Sequence, residues 1–157
     1  MQVKLLAVGK TQAAYLQEGI DLYTRRIGHY LPYQMQIVPE VKASKKLRPP
    51  QQAAQEGEKL LAQVGDRDFL VLLDERGPQQ RSVEFAAWLQ AQMLANRPAL
   101  VFAIGGPYGV SPAVYDRADA QLSLSPMTLS HQLVRLVFVE QLYRALTILR
   151  GEPYHHE

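Results

Sequence analysis

Two short segments that are apolar at every position most constrain how this chain can fold: FLVLL at residues 69–73 and LVFAI at residues 100–104. A strand with no polar face has to be covered on both sides, which is typical of the central strands of a parallel sheet. Segments with helical spacing separate these two from three further strand-like segments. The alternation predicts an α/β fold with a mostly parallel sheet flanked by helices.

The boundaries of the predicted elements follow from the hydrophobic periodicity and from the residues that begin and end helices. Pro49 and Pro50 close the basic loop after the second strand and are expected to end any regular structure there. Ser82 and Ser111 stand where helix N-caps are favoured, and Gly151 stands where a helix ends. We predict strands at 3–9, 33–39, 99–106 and 121–125, and one more within 68–77, where a continuous apolar strand runs into a charged loop that ends at a glycine. Helices are predicted at 12–28, 51–64, 83–95, 112–118 and 130–150.

Length and composition narrow the class of protein. The 157 residues form one predicted domain, 1–157, because no linker is long enough to divide the chain. The absence of cysteine excludes disulfides and thiol chemistry, and it fits a cytoplasmic protein. No run approaches the roughly 20 apolar residues of a membrane span, so we expect no membrane partner. The net charge of +2 neither indicates nor excludes a nucleic-acid partner.

The last predicted helix, residues 130–150, is apolar around most of its circumference. A helix that covers one face of a sheet needs an apolar stripe only about 100° wide. Either the helix packs on its own sheet and on a twofold partner, or it is the central helix of a compact monomer. We favour the homodimer, because a chain of 157 residues has little material to cover the second side.

The strand at 100–104 runs into GGPYG, where three glycines fall within five positions. The spacing fits neither a P-loop, which needs Lys and Ser or Thr after its last glycine, nor the G-x-G-x-x-G of dinucleotide-binding folds. Taken alone, the glycines are equally consistent with a tight turn. However, LLDERG and LSLSPMTLSH end two other predicted strands, and the carboxyl ends of parallel strands meet at one edge of a sheet. The three loops together predict a ligand pocket at that edge.

Four motifs carry a resemblance to a known family: LLDERG, FAIGGPYG, LSLSPMTLSHQLVRLVFVEQLYRA and the closing RGEPYHHE. In this order they resemble the RlmH (YbeA) family, small bacterial methyltransferases of the SPOUT superfamily, over nearly the whole chain. Ser130 stands where the family has proline. The resemblance implies a SPOUT-type fold with a deep trefoil knot at the C-terminal end of the sheet, and S-adenosylmethionine as the cofactor.

The resemblance also implies which residues bind this cofactor. Leu73 would follow a fourth strand and Gly105 a fifth, and the last of the three loops would close the knot. Bare backbone at the glycines would let the cofactor approach closely, and apolar side chains would flank its adenine ring. The expected cofactor-binding residues are Leu73, Gly105, Gly106, Leu124, Ser125, Pro126, Met127, Thr128 and Leu129.

The substrate that the resemblance implies is a pseudouridine in helix 69 of large-subunit ribosomal RNA, methylated at N3 on the assembled ribosome. The imide proton on N3 must leave, so the reaction needs a base or proton relay and a group that stabilises negative charge on the ring. The plainer interpretations are an ordinary i,i+4 surface pair for Glu140 and Arg144, and a helix-start residue for His131. The expected catalytic residues are His131, Glu140, Arg144, Tyr154 and His155.

RNA contacts are expected from a basic loop and from one arginine of the last helix: Lys42, Lys45, Lys46, Arg48 and Arg135. The loop would hold phosphates without reading bases, although many basic loops are only solvated. We expect 23S ribosomal RNA rather than DNA as the partner, and no metal, because the four histidines lack the spacing of a metal site. The alternatives are a SPOUT methyltransferase with another RNA target and a non-catalytic ribosome-binding or assembly protein.

Overall fold

The computed structural model describes residues 1–42 and 44–157. Strands and helices alternate along the described chain, and each predicted element is present with small shifts of its ends. The strands are β1 (Gln2–Val8), β2 (Tyr33–Val38), β3 (Phe69–Leu73), β4 (Ala99–Ile104) and β5 (Ala120–Leu122). The helices are α1 (Ala14–Ile27), α2 (Pro49–Leu61), α3 (Ser82–Leu94), α4 (Pro112–Arg117) and α5 (Leu133–Leu149).

The strands form one sheet in the order β2-β1-β4-β3-β5, and all neighbouring strands run parallel. The predicted α/β class and parallel sheet are confirmed. Every residue of β4, the central strand, is buried, as its lack of a polar face requires. Leu73 ends β3 and Gly105 follows β4, so each lies one strand earlier in the count than the resemblance implied. The trefoil knot stays a prediction.

Helices cover both faces of the sheet. On one face, α1, α3 and α5 surround an aromatic core in which the ring centroids of Phe102 and Phe138 are 4.6 Å apart. On the other face, Leu60 of α2 and Val114 of α4 pack against the alternate side chains of the same strands. The two layers leave the carboxyl edge of the sheet open between them. Within residues 1–42 and 44–157, no helix combines the length and apolarity needed to span a membrane.

Four helix starts differ from the prediction by one to three residues, and those of α2 and α3 have a clear physical reason. Pro49 and Pro50 are the first residues of α2 instead of ending regular structure, because a proline in the first turn loses no helical hydrogen bond. Ser82 is the first residue of α3 and does not cap it. The Arg81 N–H instead donates to the Glu84 side chain at 2.7 Å, which satisfies a backbone donor at this terminus.

Helix α5 contacts both α1 and α3 and buries only one side. Phe138 and Leu142 are fully buried, whereas Val137 on the outer side is half-buried and Leu133 is 38% exposed. A single chain therefore does not enclose this helix, which leaves the homodimer as a prediction. Ser130 replaces the family's proline without loosening the helix start, since its hydroxyl accepts the Leu133 N–H at 3.0 Å.

Candidate active site

A cavity of about 520 Å³ lies at the carboxyl edge of the sheet. Three loops line it: residues 73–76 after β3, 104–110 after β4 and 124–131 after β5. All of the expected cofactor-binding residues contribute to its lining except Pro126, and His131 lines it as well. The structure thus brings together the three loops that the sequence placed at one edge. Cofactor binding by these residues stays a prediction.

The glycine loop, residues 105–110, is shaped by its own packing. A Cβ atom on Gly105 would lie 2.8 Å from the carbonyl oxygen of Gly109, and one on Gly106 would lie 2.9 Å from Glu56 Oε1. Gly109 itself has a φ of +79°, a conformation that favours glycine. Protein contacts therefore already require the glycines, as the tight turn that the sequence left open would, and close approach of a cofactor stays a prediction.

The loop after β5 is held by short-range hydrogen bonds. The Ser123 hydroxyl donates to the Ser125 carbonyl at 3.0 Å, and the Ser125 hydroxyl accepts the Met127 N–H at 3.0 Å. The Asp74 N–H donates to the Leu122 carbonyl at 3.1 Å, which joins this loop to the one after β3. The two loops therefore form a continuous wall of the cavity, and Met127 is 76% exposed beside it.

A hydrogen-bonded group that the sequence interpretation missed lines the same cavity: Asp74, Arg76 and Tyr115. The Tyr115 hydroxyl donates to the Asp74 carboxylate, and the Arg76 N–H donates to it at 2.9 Å. Burial alone would raise the pKa of Asp74, but the hydrogen bonds from Tyr115 and Arg76 outweigh it and hold that pKa below its ordinary value. An acid directly after a buried strand, in LLDERG, was the signal available in the sequence.

His131 and Arg135 stand in different surroundings although one helical turn separates them. Burial and then the charge of Arg135 lower the pKa of His131, with a smaller opposing effect of Glu40. Arg135 is fully buried, and its guanidinium donates to the carbonyls of Val8 and Gly9, each at 2.8 Å. The structure does not support the RNA contact expected of Arg135, because its side chain closes the end of β1 inside the protein.

The other expected catalytic residues form a second cluster, the tail cluster: Glu140, Arg144, Tyr154 and His155. Arg144 forms an ion pair with Glu140, and its Nη1 lies 3.2 Å from His155 Nδ1. The Tyr154 hydroxyl donates to Glu140 Oε1 at 3.0 Å. Burial first, and then hydrogen bonding to Tyr23 and Glu140, raises the pKa of Tyr154. The Glu140–Arg144 pair is therefore part of a network that includes the chain's last residues, not an isolated surface pair.

The tail cluster does not line the cavity. Val134 lines the cavity and Arg144 lies ten residues further along α5, which corresponds to about 15 Å of helix. Within one chain, the expected cofactor site and most of the expected catalytic residues are therefore apart. Among the residues that the structure describes, no group of three His, Cys, Asp or Glu side chains is arranged to hold a metal ion.

The basic loop follows β2 and thus also lies at the carboxyl edge of the sheet. Lys42, Lys45, Lys46 and Arg48 are all exposed, while Ala43 lies outside the described residues. Four exposed cationic side chains near the open edge are suited to contact phosphates. RNA binding by this loop stays a prediction.

Comparisons with known proteins agree with this architecture. The family model described as "Predicted SPOUT methyltransferase" matches residues 1–155. The chain is 48% identical to the ribosomal RNA large subunit methyltransferase H of Parabacteroides distasonis over 157 residues, all of both chains. It is 49% identical to the proteins of the same name from Christiangramia forsetii, over 99% of each chain, and from Flavobacterium johnsoniae, over 100% of each chain.

Proposed function

Because this chain belongs to the SPOUT methyltransferase family, we propose that it uses S-adenosylmethionine to methylate N3 of a pseudouridine in helix 69 of 23S ribosomal RNA. The family match supports the methyl transfer, and the names of full-length relatives at 48% and 49% identity support a large-subunit ribosomal RNA substrate. The observation that carries the proposal is the cavity at which the loops after β3, β4 and β5 converge.

The cavity suits S-adenosylmethionine. Leu73, Leu124 and Leu129 line it with apolar side chains of the kind that an adenine ring packs against. The lowered pKa of Asp74 keeps a negative charge in the lining, which complements the positive sulfonium and ammonium groups of this ligand. When bound there, the cofactor supplies an electrophilic methyl group.

The chain's own residues supply proton transfer and charge stabilisation. His131 lines the cavity, and its lowered pKa keeps the imidazole neutral near pH 7, so that it can accept the N3 proton. Arg144 can stabilise negative charge on the ring carbonyls while Glu140 orients its guanidinium. Tyr154 and His155 are assigned to substrate positioning and proton relay.

A homodimer would bring these two groups together. Along α5, Glu140 and Arg144 of the tail cluster lie about 9 and 15 Å from Val134 at the cavity of their own chain. The outer side of α5 carries the half-buried Val137 and the exposed Leu133. A twofold axis perpendicular to α5 on this apolar side would pair the two helices antiparallel and place the tail cluster of one protomer near the cavity of its partner. We infer a composite active site built from both chains.

The proposal also covers the domain organisation, the knot, the site of action and the partners. The chain acts as one domain, 1–157, since the family match runs through residues 1–155 without a break. A deep trefoil knot formed by the loops after β4 and β5 belongs to the proposal, as does a cytoplasmic site of action on the assembled ribosome. We propose no DNA partner and no metal.

The decisive experiment is mass spectrometry of the helix 69 fragment from a strain that lacks this gene, with and without the gene restored. A methyl group on the pseudouridine only in the complemented strain is the expected result. A Gly105→Val variant serves as the control that lacks an intact cofactor loop. A fragment that stays unmethylated, together with a new methylation elsewhere, would instead identify a different RNA target.

A further inference from the structure

Glu56 is a buried acid that the proposed chemistry does not use. It lies on the sheet-facing side of α2 with 3% of its surface exposed. Its Oε2 accepts the N–H of Val41 at 3.2 Å, whereas its Oε1 is buried and has no hydrogen-bond partner among the residues that the structure describes. A buried carboxyl oxygen without a partner is costly, so its retention requires an explanation.

The unpartnered oxygen faces the glycine loop. A Cβ atom on Gly106 would lie 2.9 Å from Glu56 Oε1, so the carboxyl packs directly against that glycine. The neighbouring residue, Gly57, packs against Ser111 in the same way, since a Cβ atom on Gly57 would collide with the Ser111 hydroxyl oxygen. That hydroxyl is also buried and has no partner within residues 1–42 and 44–157. Consecutive residues of α2 therefore support both ends of the segment 106–111.

The surroundings of Glu56 compensate its charge only in part. Burial raises the pKa of this carboxyl, and Glu40, after β2, adds to the effect by repelling the carboxylate. Hydrogen bonding to the Val41 N–H and to the Gln52 side chain, and a weaker attraction by Lys59, lower the pKa without outweighing burial. The gap between α2 and the glycine loop is too narrow to admit a water molecule, so only a movement of the protein can bring a donor to Oε1.

We propose that Glu56 is a positioning residue that joins the basic loop to the glycine loop. Its Oε2 accepts the N–H of Val41, which adjoins Lys42 of the basic loop. Its Oε1 accepts a backbone N–H of the glycine loop when a ligand occupies the cavity. When the basic loop shifts as it binds phosphates, the Glu56 carboxyl group transmits that shift to the glycine loop at the cofactor site. This inference rests on the proposed function for the identity of both ligands.

The test compares Glu56→Gln with Glu58→Gln. Glu58 lies two residues on in α2 with an exposed side chain, so the control loses the same charge without contact with either loop. In Glu56→Gln the amide oxygen can keep the hydrogen bond from Val41, while the amide nitrogen replaces an acceptor with a donor facing Gly106. A second variant, Val41→Pro, removes the N–H that Oε2 accepts and leaves the glycine loop unaltered.

Three quantities are measured: hydrogen exchange of the amides in residues 105–111, the Kd of S-adenosylhomocysteine by calorimetry, and the midpoint of thermal unfolding. We expect both Glu56→Gln and Val41→Pro to speed hydrogen exchange in the glycine loop several-fold. Both should also raise the Kd of S-adenosylhomocysteine about tenfold. Glu58→Gln should match the wild type. The unfolding midpoint of Glu56→Gln should equal or exceed that of the wild type, because a buried acid with an unpartnered oxygen is removed.

Unchanged exchange and affinity in Glu56→Gln would overturn the proposal. A loss of affinity that parallels a loss of stability would overturn it too, because it would identify Glu56 as a purely structural residue. If the wild-type protein does not bind S-adenosylhomocysteine, the proposed function fails instead, and exchange in the glycine loop of the two variants alone decides this inference.

Discussion

At the scale of single residues, two of the titratable side chains that line the cavity differ in charge: Asp74 is ionised and His131 is neutral. Hydrogen bonds from Tyr115 and Arg76 keep Asp74 ionised in spite of its burial, whereas burial and the charge of Arg135 keep His131 neutral. A carboxylate suits a positively charged methyl donor, and a free imidazole suits a substrate that must lose a proton. The proposed methyl transfer needs both charge states in one place.

The shifted pKa of His131 predicts a dependence of stability on pH. Because the folded pKa lies below the ordinary value of 6.5, the unfolded chain binds a proton first as the pH falls. Stability due to the neutral imidazole is therefore present above pH 6.5 and is lost as the pH falls through the folded pKa. Thermal unfolding of His131→Gln should depend less on pH in this window than the wild type. His29 is exposed, so His29→Gln is the control. Equal pH dependence of unfolding in both variants would show that His131 is not the source of this pH dependence.

Gly105→Val is expected to abolish binding of S-adenosylmethionine. The added side chain would collide with the Gly109 carbonyl and with Val110, so the glycine loop has to move away from its place in the cavity wall. Circular dichroism should show that the sheet stays folded, since the loop lies outside it. Calorimetry that finds unchanged affinity in this folded variant would remove the glycine loop from the cofactor site.

At the scale of elements, the C-terminal tail, residues 152–157, packs at the surface of its own chain. Deleting it removes the bonds of Tyr154 and His155 to Glu140 and Arg144, together with a 2.6 Å hydrogen bond from Tyr30 to Glu152. We expect folding and cofactor binding to persist while kcat falls by at least the ~10²-fold typical of removing acid–base catalysis.

A shorter deletion is the matched control for the tail. Removing only residues 156 and 157 breaks the 2.9 Å ion pair between Arg81 and Glu157 but keeps Tyr154 and His155. This variant should retain nearly full activity, because an exposed ion pair contributes little. Equal decreases of kcat in both deletions would exclude a chemical role for the tail cluster.

The basic loop is the second element whose role is open to test. Changing its four cationic residues, Lys42, Lys45, Lys46 and Arg48, to glutamine should weaken ribosome binding. The dependence of the affinity on salt should also become flatter, by roughly one released counterion for each phosphate that the loop no longer binds. A control for net charge compares two double variants. One changes Lys45 and Lys46 of the basic loop to glutamine, and the other changes two exposed cationic residues elsewhere, Lys59 and Arg67, to glutamine. If both pairs lower the salt dependence equally, the basic loop does not bind phosphates specifically.

At the scale of the whole molecule, the homodimer decides whether the active site is complete. Sedimentation should find a dimer at micromolar concentration, with an interface of roughly 1,600 Å² or more along α5. Val137→Glu should produce a folded monomer, since this side chain is half-buried on the outer side of the helix. Leu142→Glu should unfold the chain, because Leu142 is fully buried against the chain's own core. A stable wild-type monomer would contradict the composite site.

A mixed dimer tests the geometry directly. One chain carries the tail deletion and the other carries Gly105→Val. If the tail serves the partner's cavity, the intact tail of the Gly105→Val chain covers the functional cavity of the tail-deleted chain, and about one working site returns. A paired and folded mixed dimer without activity would show that the tail acts within its own chain or not at all.

The sequence by itself determined the α/β class, the parallel sheet, the ten elements and the loops that line the cavity. These follow from local patterns, because neighbouring residues indicate which faces of a strand are apolar and where a helix begins and ends. The errors at Pro49 and Ser82 were shifts of an end by one or two residues.

Only the tertiary structure decided which distant side chains share an environment. The sequence analysis expects an RNA contact from Arg135, but this side chain is buried and donates to the carbonyl of Gly9, 126 positions away. Asp74 gains its charge state from Tyr115, 41 positions away, and Glu56 on α2 meets Gly106 after β4. Long-range packing sets burial and hydrogen bonding, and these determine pKa and chemical role. No local pattern contains that information, because it depends on how separate elements pack together.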